Sequence, residues 1–385
     1  MKKISVLSIS VLLIMSGASI SPALGSISEN FNPVNPLLIK MILTLPCILI
    51  MPASIISGNL SEKIKKRTLL ITGLLVYLIG GVGGGFASNI YVLLAFRSLL
   101  GIGVGLILPL STGLIVDFFE DEERKKMMGY STAINNLGAV IAIILSGILG
   151  SVSWRFAFGV YFIALIPLLL VIFKLPEPKK RVSAEKSPLS LNKKVYKMML
   201  LMAVVNIVFY SVPTNIAMLI KTQNLGSSSI SGLVIASLNL TSFISGLFLT
   251  KFTNIFKKNA TLYSLLMMLI GYIILSISNS LIQIELALIL IGLGLGIVLT
   301  LIFIETSKSV SAKDSTFALA LVNSCMYLGQ FLSPLLINFI GNLLEITSIQ
   351  FAFKFSTILL VISILVKIFS FENKAIYISP SQRNL

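Results

Sequence analysis

Leu93–Leu110 reads LLAFRSLLGIGVGLILPL, an apolar run with one charge, Arg97, and glycines at 101, 103 and 105. Extended to Tyr91–Val116, it is long enough as a helix to cross the hydrocarbon core of a bilayer, which takes roughly 20 residues for about 30 Å. A guanidinium at that depth costs about 3 to 10 kcal/mol unless it faces protein or a wet cavity. Arg97 is therefore expected to be held by other parts of the chain and to matter for function.

Working outward from this run, eleven further apolar stretches have spanning length. Five flank it in the first half, at Ile4–Leu24, Leu37–Ser57, Thr68–Phe86, Met127–Gly150 and Phe156–Phe173. Six lie in the second half, at Met198–Ile220, Ser229–Leu249, Ala260–Ile277, Leu281–Ile304, Phe317–Ile340 and Ile349–Ser370. The composition agrees: 385 residues are 56% hydrophobic and only 11% charged, with a mean hydropathy of +0.99. Too little polar surface is available to cover a soluble globule.

Lys and Arg orient the spans, because cytoplasmic segments carry the excess. With Lys2 and Lys3 inside, the inner segments hold 25 of the 30 basic residues, the exceptions being Lys40, Arg97, Arg155, Lys221 and Lys354. Both termini are thus expected in the cytoplasm, in a multi-pass protein of a bacterial-type plasma membrane. The start, Lys2-Lys3 with an apolar run and small residues to Gly25, also fits a cleaved secretory signal. The paired halves described next need it as a helix.

One polar interval, KLPEPKKRVSAEKSPLSLNKKVYK from Lys174 to Lys197, divides the chain. The organisation expected is a six-helix bundle over 1–174, a cytoplasmic linker over 175–197, a second bundle over 198–370 and a cytoplasmic tail over 371–385. A shift of 191 residues carries Gly101, Gly103 and Gly105 onto Gly292, Gly294 and Gly296, and Leu137-Gly138 onto Leu328-Gly329. A shift of 192 carries Lys65-Lys66 onto Lys257-Lys258. Parallel duplication of this kind builds transporters with a site between two rocking bundles, although small residues also recur at helix crossings for packing alone. The fold class expected is an all-α membrane protein of twelve transmembrane helices in two bundles related by pseudo-two-fold symmetry.

Several chemistries drop out. The net charge of +16 is spread over short inner segments without an aromatic-rich platform, which suits topology and attraction to anionic lipid rather than nucleic acid. There is no His, the acids do not cluster, and Cys47 and Cys325 sit in apolar helices, so no metal site, cofactor, disulfide framework or hydrolase triad is signalled. No GxxxxGK loop appears either. An enzyme is not expected.

After the second span, GNLSEKIKKRTLL carries Gly58, Leu60, Glu62, Lys63, Lys66 and Arg67. Together with Arg97, Gly101 and Gly105, and with Gly129, Gly138 and Gly147 in span 5, it resembles the signatures of the major facilitator superfamily. The resemblance covers nearly the whole chain and is closest to the twelve-span drug and metabolite exporters. Lys65 departs from a usual glycine, Ala142-Ile143 from a usual Gly-Pro, and Ser146 from a further glycine. The missing Gly-Pro pair, the part most tied to antiport, leaves the direction of transport open. The resemblance implies a coupling role for Arg97. It also implies a cytoplasmic gate of Gly58, Glu62, Lys63, Lys66, Arg67 and Asp117, in which Glu62 latches onto Lys63, Arg67 or a helix N-terminus. The alternatives are that Arg97 only ties backbone carbonyls and that the loop basics only obey the inside rule.

Polar side chains inside the spans mark a candidate substrate cavity. Asn323, Tyr327 and Gln330 share a face of span 11, Asn206 and Tyr210 a face of span 7, and Asn135, Asn136 and Asn239 add amides on spans 5 and 8. They could instead be interhelical glue. None of the 14 acids falls at a midplane; Glu29, Asp117, Glu285 and Glu305 lie near span ends. A pump for lipophilic cations needs a buried carboxylate, so a neutral, zwitterionic or anionic substrate is favoured. The expectation is a monomeric secondary transporter exporting small amphipathic molecules in exchange for protons, with membrane lipids as its surroundings. A transporter of one metabolite and a non-coupled scramblase or receptor remain as alternatives.

Overall fold

The computed structural model describes residues 2–178, 192–346 and 348–376. Most of the expected linker and residues 377–385 of the expected tail lie outside them. Among the described residues the chain is helical throughout, and twelve helices follow the twelve apolar stretches.

In the first half these are α1 (Lys2–Ala18, resumed at Leu24–Asn30), α2 (Pro36–Lys63), α3 (Lys66–Gly83), α4 (Ile90–Phe118), α5 (Asp121–Val152) and α6 (Trp154–Lys174). In the second they are α7 (Lys193–Thr222), α8 (Ser228–Leu247), α9 (Ala260–Ser276), α10 (Leu281–Lys308), α11 (Ala312–Leu343) and α12 (Phe351–Ile376). Ten are single helices long and apolar enough to cross a membrane; α1 bends by 45° between Leu13 and Met15, and α9 is preceded by a short helix, Leu249–Phe256, turned by 108°.

Several helices run past the expected spans, among them those at the expected linker and tail. Helix α7 starts at Lys193, inside the interval read as linker, and α12 runs six residues past Ser370 to Ile376. Polar residues at these ends extend the helices beyond the apolar core, because a backbone leaving the hydrocarbon keeps its internal hydrogen bonds.

The duplication holds at the level of caps and crossings. Asn89 caps α4 by accepting from the Val92 N–H at 3.0 Å, and 191 residues on Ser280 caps α10 by accepting from Gln283 at 3.4 Å. Helices α5 and α11 match end for end at the same shift. On α4, Gly101 and Gly105 press on α2 at Pro46 and Ala53, while Gly103 presses on α3 at Tyr77. On α10, Gly292 and Gly296 press likewise on α8, and Gly294 on α9. A Cβ at Gly101 would lie 2.5 Å from the Pro46 carbonyl oxygen, so no larger residue fits without parting the helices.

Each half packs around its own apolar core. One is built from α1–α6, including Leu43, Leu74, Leu100 and Tyr161, and the other from α7–α12, including Met202, Leu265, Leu288 and Phe353. Ala217 of α7 joins the first core and Ile143 of α5 the second, which places α5 and α7 along the seam.

Candidate functional site

At the middle of the seam three helices bring polar side chains together and a fourth closes on them. Cys47 of α2 donates to the Gln330 side-chain carbonyl of α11 at 3.2 Å and lies 3.9 Å from the Tyr210 hydroxyl of α7. Gln330 in turn donates to Asn206 at 3.2 Å, and Asn206 donates to the Met202 carbonyl one turn back. Gly17 of α1 completes the cluster, since a Cβ there would stand 2.5 Å from the Tyr210 oxygen. Three expected cavity residues of the second half, Asn206, Tyr210 and Gln330, therefore gather at the seam, where Cys47 and Gly17 of the first half meet them.

The other expected residues behave differently. Tyr327 packs against the first half's core. Asn136 and Asn239 donate to carbonyls on their own helices, Thr132 and Ile235 respectively, and Asn135 and Asn323 are half-buried on α5 and α11. Cys47, set aside at the sequence level as one more apolar-helix cysteine, is the member that links α2 to this network. Its signal was there in principle: it lies one residue beyond Pro46, in the turn where α4 approaches most closely.

Arg97 is fully buried, with 0% exposure, inside the first half rather than at the seam. Its Nε donates to the Ile42 carbonyl at 2.6 Å and its two terminal nitrogens donate to the Ser16 carbonyl and the Tyr161 hydroxyl, each at 2.7 Å. Both carbonyls are unused by their helices. Pro46 has no N–H to return to Ile42, and Ser16 sits in the last turn before α1 breaks. Tyr161 is presented by a 3-10 stretch, Phe158–Ala164, in the middle of α6. The carbonyl-tying alternative is thus the geometry found.

At the basic end, the Lys66 ammonium meets Asp117 at 2.6 Å, with Asp117 only 5% exposed. This joins the α2–α3 turn to the C-terminal end of α4, within one half. Arg67 donates to the Ile172 carbonyl of α6. The N-terminus of α3 is occupied by Glu177, whose carboxylate accepts from the Lys66 and Arg67 backbone N–H groups at 2.7 and 3.1 Å. An anion there is favoured by the free N–H groups and the helix dipole. Glu177 sits in the proline-rich interval read as linker, and Glu62 and Lys63 are exposed, with Gly58 half-buried on α2. Other ion pairs at this end, Lys3 with Glu123 and Lys194 with Glu305, also stay within a half.

The opposite end holds ties that cross the halves. Gly147 of α5 and Gly232 of α8 touch backbone to backbone, Ser26 lies 3.2 Å from Ser228, and Lys221 of α7 pairs with Glu29 of α1 at 3.3 Å.

The sequence profile of the Major Facilitator Superfamily matches residues 6–334, and again 199–380. The chain belongs to that superfamily. Among relatives of this superfamily member, Multidrug resistance protein 3 of Bacillus subtilis is 36% identical over 104 residues, 27% of the chain and 20% of the relative. Quinolone resistance protein NorA of Staphylococcus aureus is 28% identical over 130 residues, 33% of each. These matches thus span a third or less of the relatives' length. Solved structures agree in fold over nearly the whole chain. A bacterial homolog of the human lysosomal transporter Spinster, inward-facing, superposes with a TM-score of 0.78 at 15% identity, covering 94% of this chain and 95% of that one. A D-xylose–proton symporter gives 0.74 at 16%, with coverage of 94% and 95%.

Proposed function

We propose that this superfamily member is a secondary active transporter that moves small amphipathic molecules out of the cell by alternating access, driven by the proton gradient. The observation that carries the reading is the Cys47–Gln330–Asn206 network with Tyr210: a buried polar patch in the seam between two separately packed halves. Polar groups at the middle of a membrane protein are costly, and between two bundles they mark a substrate path.

The two ends support a two-state cycle. Cross-half ties at Gly147–Gly232, Ser26–Ser228 and Glu29–Lys221 close one end, which the Lys/Arg distribution assigns to the outside. The basic end, assigned with both termini to the cytoplasm, carries the family's gate segment, anchored by Lys66–Asp117 and Glu177. Arg97 acts as a clamp in this scheme: it ties the α1 break to the Pro46 turn of α2, so that the two helices rock as one set piece. Efflux rests on the resemblance to exporters and on the names of the multidrug relatives. With no nucleotide-binding loop in the sequence, an ion gradient supplies the drive.

The test is reconstitution in proteoliposomes with an imposed pH gradient and a panel of neutral, anionic and cationic amphipathic compounds. Uphill movement that collapses with the gradient is the result expected. Flux indifferent to the gradient would point to a scramblase instead.

A further inference from the structure

Five basic residues lie away from the basic end, and four have an evident reason. Arg97 is bonded as described, Arg155 donates to the Gly85 and Ala87 carbonyls, Lys221 pairs with Glu29, and Lys354 is exposed. Lys40 is different. It is 7% exposed, near the outer end of α2, and among the described residues it makes no ion pair. A buried ammonium without a counter-ion is costly, so its surroundings bear on what it is for.

Lys40 lines a cavity of about 570 Å³. The walls come from both halves: Lys40 of α2, Met218 of α7, Asn338 and Asn342 of α11, and Phe351 of α12. The remaining walls are mainly apolar, and no carboxylate contributes. A fixed cation, the amides of Asn338 and Asn342 beside the Asn35 that caps α2, and mainly apolar remaining walls match a carboxylate carried on a compact hydrophobic body.

We propose that this outer cavity binds a small amphipathic organic anion, with its carboxylate on Lys40 and the amides of Asn338 and Asn342 and its apolar body against Met218 and Phe351. The site is separate from the Cys47–Gln330 network. Because its walls belong to both halves, a bound anion favours the arrangement in which the outer ends are together. That consequence rests on the alternating-access reading; the binding itself does not.

The probe is 2-naphthoate, with uncharged 2-naphthamide as its control, titrated calorimetrically into the full chain in phosphatidylcholine nanodiscs. Saturable one-to-one binding of the naphthoate, at least about tenfold tighter than the amide, is expected. Lys40→Met should lose about tenfold or more, Lys40→Arg should keep most of the affinity, and Asn338→Leu should weaken binding while leaving Lys40 in place. Equal binding of acid and amide, or unchanged affinity in a Lys40→Met protein with a native melting curve, overturns the proposal. Repeating the titration in nanodiscs doped with phosphatidylglycerol separates the sources. If that lipid abolishes naphthoate binding to the wild type and copurifies with it but not with Lys40→Met, the occupant is a lipid headgroup and the small-anion assignment falls. Since no step requires transport, failure here and failure of the transport reading are read independently.

Discussion

The Arg97 side chain donates to the carbonyl of Ile42 at 2.6 Å, the one carbonyl in α2 that Pro46, four residues on, cannot serve. A proline inside a helix and a buried arginine, two costs when taken singly, offset each other across α2 and α4. The same guanidinium reaches the Ser16 carbonyl beside the α1 break, so a single side chain secures two irregular helices.

Arg97→Ala should therefore abolish gradient-driven transport while leaving the protein inserted, and should lower its melting temperature. The Ile42 carbonyl loses its partner, at about 1–3 kcal/mol for a buried group left unpaired, while the Ser16 carbonyl and the Tyr161 hydroxyl keep only their mutual bond of 3.3 Å. Arg97→Lys is expected to recover little, since an ammonium cannot span three acceptors held by a planar fork. Normal uphill transport by the alanine variant would remove Arg97 from the mechanism.

Asp117→Asn leaves the Lys66 ammonium without its carboxylate, and Glu177→Gln weakens the cap on α3. Both loosen the same turn, so their effects on melting should combine to less than the sum, by about 0.5 kcal/mol or more. Glu62→Gln addresses the latch directly: spin labels on the inner ends of α2 and α11 should report longer distances. An unchanged distribution would leave the gate basics with only a topological role.

Gly147 has its counterpart Gly232 against it, and a Cβ there would lie 2.9 Å from the Ser228 carbonyl oxygen and 3.0 Å from the Gly232 Cα. Gly147→Leu is expected to wedge α5 from α8, hold the outer end open and stop turnover with little loss of insertion. Labels on the outer ends of α5 and α8 should move apart; a wild-type distance together with normal transport would mean that this crossing does not form part of the cycle.

The central network contains amides, a hydroxyl and a thiol but no acid. A permanently charged quaternary ammonium should accordingly be moved at least about tenfold more slowly than a neutral or anionic compound of similar size, because nothing there offsets its desolvation. Asn323→Asp, one turn from Tyr327 on α11, should narrow the gap. A quaternary compound emerging as the best wild-type substrate would refute this account of the cavity.

Much of the architecture was legible because the bilayer imposes it: length and hydropathy locate twelve spans, and the glycine register reveals the repeat of one half in the other. The helix-by-helix roles of Gly101, Gly103 and Gly105 follow from spacing, since alternate glycines on one helix must face two neighbours. The site was harder. Periodicity assigns Asn206 and Tyr210, or Tyr327 and Gln330, to a common helix face, but not which helix stands opposite. Asn136 and Asn239 were drawn into the cavity although each satisfies its own helix, and Cys47 was left out because a thiol carries no polar signature. Glu177 went unnoticed because a carboxylate that caps a helix more than a hundred residues away leaves no local pattern. The short helix Leu249–Phe256 was hidden for a different reason: its eight residues are too few to read as a span, although its rings Phe252 and Phe256 meet each other and Tyr263.

Trp154, the single tryptophan in the chain, opens α6 beneath the Arg155 guanidinium, 4.3 Å from its ring, with Phe31 and Phe158 at 5.4 and 6.1 Å. All three neighbours belong to the same half. Its fluorescence should therefore stay constant while the two bundles tilt as rigid units, and quench or brighten only when the first bundle itself deforms. An unmodified protein thus carries a built-in optical control that separates rocking from internal strain, with no label and no mutation.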